Sequence, residues 1–241
     1  KRYGKEVAIG FFPADHYIGN QEAYINTLKA AVEVAVSQKA IVTLGIKPDY
    51  PSTGYGYIEQ GENQGEFNGL PVYKVSRFTE KPDRSTAEKF LETGLFSWNS
   101  GMFMFTAQSF IDELSKHQPE IVEACSKALK LAKTDLDFIR IDHNSFNVSP
   151  SDSIDYAVMQ KTAHAAVVRA QFDWSDIGTW GALWDASDHD ERGNRATGNV
   201  ALLDTWLPPM LHPDRQKDPR FIGPLGEMIC RGTWQMFFSS Q

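Results

Sequence analysis

The feature that most constrains the fold is an apolar strand pattern, followed by a helical pattern and a second apolar strand pattern. The run Glu6–Phe12 is apolar and is stopped by Pro13, which is typical of a buried strand. Residues Gln21–Ser37 carry apolar side chains at helical spacing, and Ala40–Leu44 again has the composition of a buried strand. Because parallel strands need a crossover connection, this order predicts an α/β fold with a mainly parallel sheet and helices on its faces.

The segment between Gly45 and Gly69 has a different composition, rich in Gly, Pro, Asn and Ser. Such a composition predicts loops, with one short strand at Tyr55–Glu59. From Leu207 onward the chain becomes proline-rich and shows no periodicity, which predicts irregular structure.

Charge, hydropathy and cysteine content exclude several functional classes. The chain has 24 Lys and Arg against 31 Asp and Glu, a net charge of −7, so we expect no nucleic-acid binding through phosphate neutralisation. No apolar stretch is long enough to predict a membrane span. Cys125 and Cys230 lie far apart with no metal-ligand spacing around them, which favours a reducing, cytoplasmic location.

Two aspartates follow predicted strand ends: Asp15 comes after Pro13, and Asp176 comes after Trp174 and Ser175. Because the carboxyl ends of parallel strands meet at one edge of a sheet, these carboxylates are candidates for a shared Mg²⁺ site. Aspartates are also common in turns and helix caps, and on these residues alone that reading is favoured. For His16, next to Asp15, a solvated or packing role is favoured.

Two residues at the end of the predicted strand Pro71–Thr79 suggest a site for a phosphorylated sugar. Glu80 can accept paired hydrogen bonds from neighbouring hydroxyls, and Lys81 can bind a phosphate as a point charge. Because successive strand side chains point to opposite faces, these two need not pair with each other. A solvated turn explains the same two residues, and that interpretation is favoured when this segment is considered by itself.

Two glycine-containing segments add to this picture. Asn99 and Gly101 lie among aromatic residues, where a buried amide must find a hydrogen-bond partner. Gly56, within Gly54–Tyr57, leaves a backbone that a ligand can approach closely. Each signal is weak, but together they describe a polar cleft suited to a sugar.

Taken in order, six segments resemble the sugar-phosphate nucleotidyltransferases, and among them most closely the mannose-1-phosphate guanylyltransferases. The segments are Pro13–His16, Gly54–Glu59, Phe78–Pro82, Trp98–Phe103, Ser153–Met159 and Trp174–Trp180. They extend from about Val7 to Val200 in the order of the family. The family's glycine-rich triphosphate loop should lie upstream of Pro13 and is not found there, so we expect an N-terminally truncated member.

The resemblance implies a Rossmann-like mixed sheet of the nucleotide-diphospho-sugar transferase type. It implies a partial catalytic domain over residues 1–203 and an irregular tail over residues 204–241. The implied reaction joins GTP and mannose 1-phosphate to give GDP-mannose and pyrophosphate, in the cytoplasm and without a membrane or nucleic-acid partner. A non-catalytic sugar-nucleotide-binding or regulatory homologue, another hexose 1-phosphate and a homo-oligomer are left open.

Positions within the six segments assign roles to individual residues. By resemblance, Asp15 and Asp176 would hold Mg²⁺ and Lys81 would bind the sugar phosphate, so these three are the expected catalytic residues. The expected mannose-binding residues are Gly56, Tyr57, Glu80, Asn99, Gly101 and Asp155.

Overall fold

The computed structural model describes residues 4–191. Within this range, residues 4–14 and 18–173 form one compact unit, and residues 15–17 and 174–191 form a second. The predicted tail at 204–241 lies outside the described residues, and the catalytic domain at 1–203 stays a prediction. Among residues 4–191, no helix combines the length and apolar character that a membrane span requires.

The described residues form ten strands, six α-helices and one π-helix. The strands are β1 (Ala8–Phe11), β2 (Tyr17–Ile18), β3 (Ile41–Ile46), β4 (Tyr57–Phe67), β5 (Leu70–Thr79), β6 (Phe96–Thr106), β7 (Lys133–Asp135), β8 (Phe138–Arg140), β9 (Ala165–Arg169) and β10 (Trp174–Ser175). The helices are α1 (Gln21–Ser37), α2 (Arg84–Thr93), α3 (Ala107–His117), α4 (Pro119–Lys130), α5 (His143–Asn147) and α6 (Trp180–Asp185), with a π-helix at Asp155–Met159.

Six strands of the first unit form one mixed sheet in the order β1-β6-β3-β9-β5-β4. Strands β1 and β3 both run antiparallel to β6, so they are parallel to each other, as the strand–helix–strand pattern predicted. The mixed sheet with flanking helices is confirmed. Its pairings are mostly antiparallel in the described part, however, with β3–β9 as the parallel pair, whereas the sequence predicted mainly parallel strands. The reason is that β6 lies between β1 and β3, and the hairpin β4–β5 adds two further antiparallel strands.

The core of this unit includes a cluster that packs the π-helix against the strands, with Phe103, Phe105 and Val158 among its members. Helix α1 also covers the central strands β3, β6 and β9. All six residues of β3 are buried, which explains its unbroken apolar pattern. Helix α1 begins after Asn20, whose side chain accepts a hydrogen bond from the amide of Ala23. Its buried positions are mostly small, including Ala30 and Ala31, so the helix can approach β3 closely.

The loop prediction for the segment up to Gly69 was wrong, because β4 continues to Phe67 and pairs with β5. Most residues in the second half of β4 are exposed and polar, so composition suggested a loop. The backbone ladder with β5 supplies the hydrogen bonds that hold these residues extended. The register pairs Tyr57 with Thr79, which places the start of β4 beside the end of β5.

The second unit joins two distant parts of the chain. Strands β2 and β10 form a two-stranded sheet, so residues 15–17 lie beside residues 174–175. Helix α6 follows, beginning after Thr179, whose side chain accepts a hydrogen bond from the amide of Ala182.

Candidate active site

The register of the hairpin β4–β5 brings Gly56 against Glu80. A Cβ atom at position 56 would lie 2.5 Å from Glu80 Oε2, so the missing side chain leaves the space that the carboxylate fills. The carbonyl of Gly56 accepts a hydrogen bond of 2.8 Å from the amide of Asn99, which adds β6 to the site. Three predicted binding residues are therefore neighbours.

Asn99 organises the centre of this group. Its Oδ1 accepts hydrogen bonds from Thr43 Oγ1 at 2.9 Å and from the amide of Gly101 at 3.2 Å. Its Nδ2 donates to Asp155 Oδ1 at 3.1 Å, so the orientation of the amide group is fixed by its partners. Gly101 has a φ of +72°, a left-handed conformation that favours glycine.

The electrostatics of the group are set by two carboxylates and one lysine. Burial raises the pKa of Glu80, the charge of Asp155 raises it further, and Lys81 opposes both effects. Burial also raises the pKa of Asp155, against hydrogen bonds to its charged form that include the one from Asn99. Further hydrogen-bond donors would therefore stabilise the charged form of both carboxylates, and the hydroxyls of a sugar can supply such donors.

Glu80 and Lys81 do form an ion pair, which strand alternation did not require. Lys81 Nζ lies 3.5 Å from Glu80 Oε1, and 61% of the lysine side chain is exposed against 11% of the glutamate. The reason is that both residues follow β5, which ends at Thr79, and Lys81 has a left-handed φ of +46°, so strand alternation does not apply to them.

A cavity of about 410 Å³ in the first unit has Asp155 and Gly101 in its wall. The rest of its wall is mostly aromatic, formed by Phe11, Phe12, Phe103, Phe105 and Phe110. An apolar wall with a few fixed polar groups is the usual character of a small-molecule site.

Tyr57 and Thr43 have places in the structure that the sequence did not indicate. The Tyr57 side chain is fully buried, and its hydroxyl donates to the carbonyl of Ser52 at 3.0 Å, so this side chain is part of the core. Thr43, which the sequence analysis missed, holds Asn99 in place. A threonine within the apolar run of β3 was the signal that could have identified it, because a buried hydroxyl needs a hydrogen-bond partner.

In the second unit, Asp176 lies in a tight turn. Its Oδ1 accepts a hydrogen bond of 3.1 Å from the amide of Gly178, and Ser175 Oγ accepts one of 3.1 Å from the amide of Ile177. The turn role that the sequence favoured for Asp176 is therefore present. Ile177 has a φ of +49°, a costly conformation for a β-branched residue of the kind often found at functional sites.

Asp15 and Asp176 both act on one imidazole ring, that of His16. Burial lowers the pKa of His16, while the charges of Asp15 and Asp176 raise it. Trp174 Nε1 donates a hydrogen bond of 3.1 Å to His16 Nδ1. Within residues 4–191, no group of three or more His, Cys, Asp or Glu side chains is gathered for a metal ion.

The mixed sheet with flanking helices, which carries the polar group of Glu80, Asn99 and Asp155, defines a Rossmann-like α/β fold of the nucleotide-sugar transferase type. Residues 2–193 match the profile of the family described as nucleotidyl transferase, and the chain belongs to this family.

The chain is also similar to several proteins, of which three follow. It is 45% identical over 206 residues to a mannose-1-phosphate guanylyltransferase of Klebsiella pneumoniae, covering 86% of this chain and 42% of the relative. A structure described as mannose-1-phosphate geranyltransferase from Thermus thermophilus superposes with a TM-score of 0.65 at 32% identity, covering 77% of this chain and 51% of that one. A structure described as mannose-6-phosphate isomerase from Helicobacter pylori gives a TM-score of 0.63 at 36% identity, covering 72% and 66%. The chain thus spans less than half the length of the curated relative.

Proposed function

We propose that this protein transfers a guanylyl group from GTP to mannose 1-phosphate, giving GDP-mannose and pyrophosphate. The observation that carries the proposal is the cradle formed by Glu80, Asn99 and Asp155, in which Asn99 Nδ2 donates to Asp155 Oδ1 and burial raises the pKa of both carboxylates. The names of the three similar proteins support it, because all of them concern a mannose phosphate although they name different reactions.

The residues of the cradle have complementary tasks in sugar binding. Hydroxyl groups of the pyranose donate to the carboxylates of Glu80 and Asp155, which accept them in place of water. The ring lies against the aromatic wall of the 410 Å³ cavity. Lys81, whose side chain is largely exposed, binds the phosphate group as a point charge.

The reaction itself is an in-line displacement. An oxygen of the sugar phosphate forms a bond to the α-phosphorus of GTP, while the bond from that phosphorus to the α–β bridging oxygen breaks and pyrophosphate leaves with the electron pair. The sugar phosphate is an anion near neutral pH, so no side chain needs to remove a proton. The protein accelerates such a reaction mainly by positioning the reactants and stabilising charge.

Asp15 and Asp176 are the residues that would hold Mg²⁺. Their chemistry fits this ion, which usually takes one or two protein carboxylates and completes its shell with phosphate oxygens and water. Both belong to the second unit, where β2 pairs with β10 and so brings the segment of Asp15 beside the segment of Asp176. When bound, the ion neutralises phosphate charge.

The test measures pyrophosphate release from GTP and mannose 1-phosphate by the natural full-length polypeptide, with and without Mg²⁺. We expect release that needs both substrates and the metal. Glucose 1-phosphate and the other nucleoside triphosphates serve as matched controls for sugar and base. Normal binding of mannose 1-phosphate by calorimetry without any release would count against the transfer reaction and favour a protein that only binds.

We also propose a cytoplasmic location. The substrates of the proposed reaction are small charged metabolites. Cys125 is an exposed free thiol, which is typical of a protein in a reducing compartment. Cell fractionation tests this directly.

A further inference from the structure

The two aspartates of the second unit come from distant parts of the sequence, and His16 and Trp174 join these parts. Asp15 directly precedes His16, and Asp176 follows Trp174 by two residues. The indole Nε1 donates to His16 Nδ1 at 3.1 Å, and the two rings meet edge to face with centroids 5.3 Å apart and planes at 80°. Besides the backbone pairing of β2 with β10, this is a side-chain connection between the segments that carry the two carboxylates.

The hydrogen bond also fixes which form of the histidine is present. An indole N–H can only donate, so His16 Nδ1 must act as an acceptor. The neutral imidazole therefore carries its hydrogen on Nε2, and the ring cannot turn over without losing the bond to Trp174. The result is a ring held in one orientation against Trp174.

The connection between His16 and Trp174 links the turn that carries Asp176 to the segment that carries Asp15. Ile177 holds a left-handed φ of +49°, so the turn stores strain that its surroundings must offset. The hydrogen bonds within the turn shape it locally, but they do not join it to the Asp15 segment. The contact between Trp174 and His16 does.

We propose that His16 is a positioning residue that fixes the separation of the Asp15 and Asp176 carboxylates through its hydrogen bond to Trp174. The inference rests on the proposed role of these two aspartates in binding a divalent cation. In metal sites, side chains that orient the ligands without touching the ion typically contribute about 10- to 100-fold to metal affinity.

The experiment measures binding of Mn²⁺ alone to the 241-residue chain by electron paramagnetic resonance of the free ion. No nucleotide or turnover is involved. The variants are His16→Ala, which removes the connection, Trp174→Phe, which keeps an aromatic ring but loses the donor, and the double variant. His16→Asn is the conservative variant, because Asn Oδ1 and His Nδ1 are both bonded directly to Cγ and can accept the same hydrogen bond.

Two further variants serve as references. Asp176→Asn removes a proposed ligand and should abolish the binding. His189→Ala removes another histidine of the same unit that also contacts a tryptophan, since its ring stacks on Trp184 at 3.9 Å. Mn²⁺ affinity should stay within about twofold of wild type in His189→Ala.

We expect His16→Ala and Trp174→Phe each to weaken Mn²⁺ binding about tenfold. The double variant should bind Mn²⁺ no more weakly than the weaker-binding of the two single variants, because both substitutions remove the same hydrogen bond. His16→Asn should recover affinity to within about threefold of wild type, an outcome that a merely space-filling role of the ring would not give.

The possible failures are separable. If Asp176→Asn abolishes Mn²⁺ binding but His16→Ala binds like wild type, the positioning role is refuted and the metal role stands. If the Mn²⁺ results are as expected but the full-length polypeptide transfers no guanylyl group, the proposed function fails and the inference stands. Wild-type binding that does not depend on Asp176 would overturn the inference together with the metal assignment.

Discussion

Replacing Gly56 by Ala tests the sugar-binding cradle most directly. The new Cβ would lie 2.5 Å from Glu80 Oε2 and 3.1 Å from Phe78 Cζ. To reach an ordinary non-bonded separation, the carboxylate must move by roughly 1 Å. The φ of Gly56 is not in the left-handed region, so the effect is steric rather than conformational.

This displacement sets the expected magnitude. A misplacement of about 1 Å can cost on the order of 100-fold where groups must be aligned. Glu80 is one of several groups in the cradle, so we expect mannose 1-phosphate to bind about 10- to 100-fold more weakly, which is about 1.4 to 2.7 kcal/mol. Overpacking should also lower the free energy of unfolding by about 1 kcal/mol.

The assay is isothermal calorimetry with mannose 1-phosphate, together with urea unfolding. Gly54→Ala is a matched control in the same loop, because its Cβ would meet Ser52 Oγ at an ordinary 3.7 Å. Its affinity should stay within about twofold of wild type. In a Glu80→Ala background the main clash is absent, so Gly56→Ala should then cost about threefold or less.

If Gly56→Ala binds mannose 1-phosphate as tightly as Gly54→Ala does, the proposed displacement of the Glu80 carboxylate is refuted. It is also refuted if the cost of Gly56→Ala is as large without the Glu80 side chain as with it, since the loss would then arise elsewhere than in the displaced carboxylate.

Three further predictions concern single groups. Asp176→Asn should lower the Mg²⁺-dependent rate of the full-length polypeptide by more than about tenfold while mannose 1-phosphate affinity, measured by calorimetry, changes less than about threefold; an unchanged rate would refute the metal assignment. Lys81→Ala should weaken mannose 1-phosphate binding about tenfold but leave the binding of unphosphorylated mannose unchanged, and equal losses for both ligands would exclude a phosphate contact. Burial raises the pKa of Glu80 and of Asp155 in the folded protein. As the pH falls, these two carboxylates therefore become protonated in the folded state before they do so in the unfolded state. These two groups should therefore increase the free energy of unfolding on mild acidification and weaken sugar binding over the same range; a Glu80→Gln variant with the wild-type pH profile in both measurements would contradict this.

Much of the fold could be predicted from local pattern. Helix α1 spans Gln21–Ser37 as its periodicity predicted, because one face of this helix is buried and the other is not. Strand β3 was recognisable as an apolar run because all of its residues are buried. The second half of β4 could not be recognised, because its residues are exposed and are held by a ladder to β5 rather than by burial.

The candidate site shows the same division. The residue types of the cradle were readable, since carboxylate, amide and glycine in aromatic surroundings suit a sugar. The buried hydroxyl of Thr43 indicated that it needs a hydrogen-bond partner, but the sequence could not show that this partner is Asn99, 56 positions away. The pairing of Glu80 with Lys81 was also hidden, because both residues follow the end of β5, where strand alternation does not apply.

The sequence by itself determined the α/β pattern, the acidic charge balance and the chemical groups available for a sugar phosphate. These follow from short-range periodicity and side-chain chemistry, which residue order encodes directly. Only the tertiary structure decided that most strand pairs are antiparallel, that Asn99 is held between Thr43 and Asp155, and that His16 meets Trp174. Each of these depends on contacts between residues far apart in the chain, whose geometry is fixed by how the strands and turns pack together.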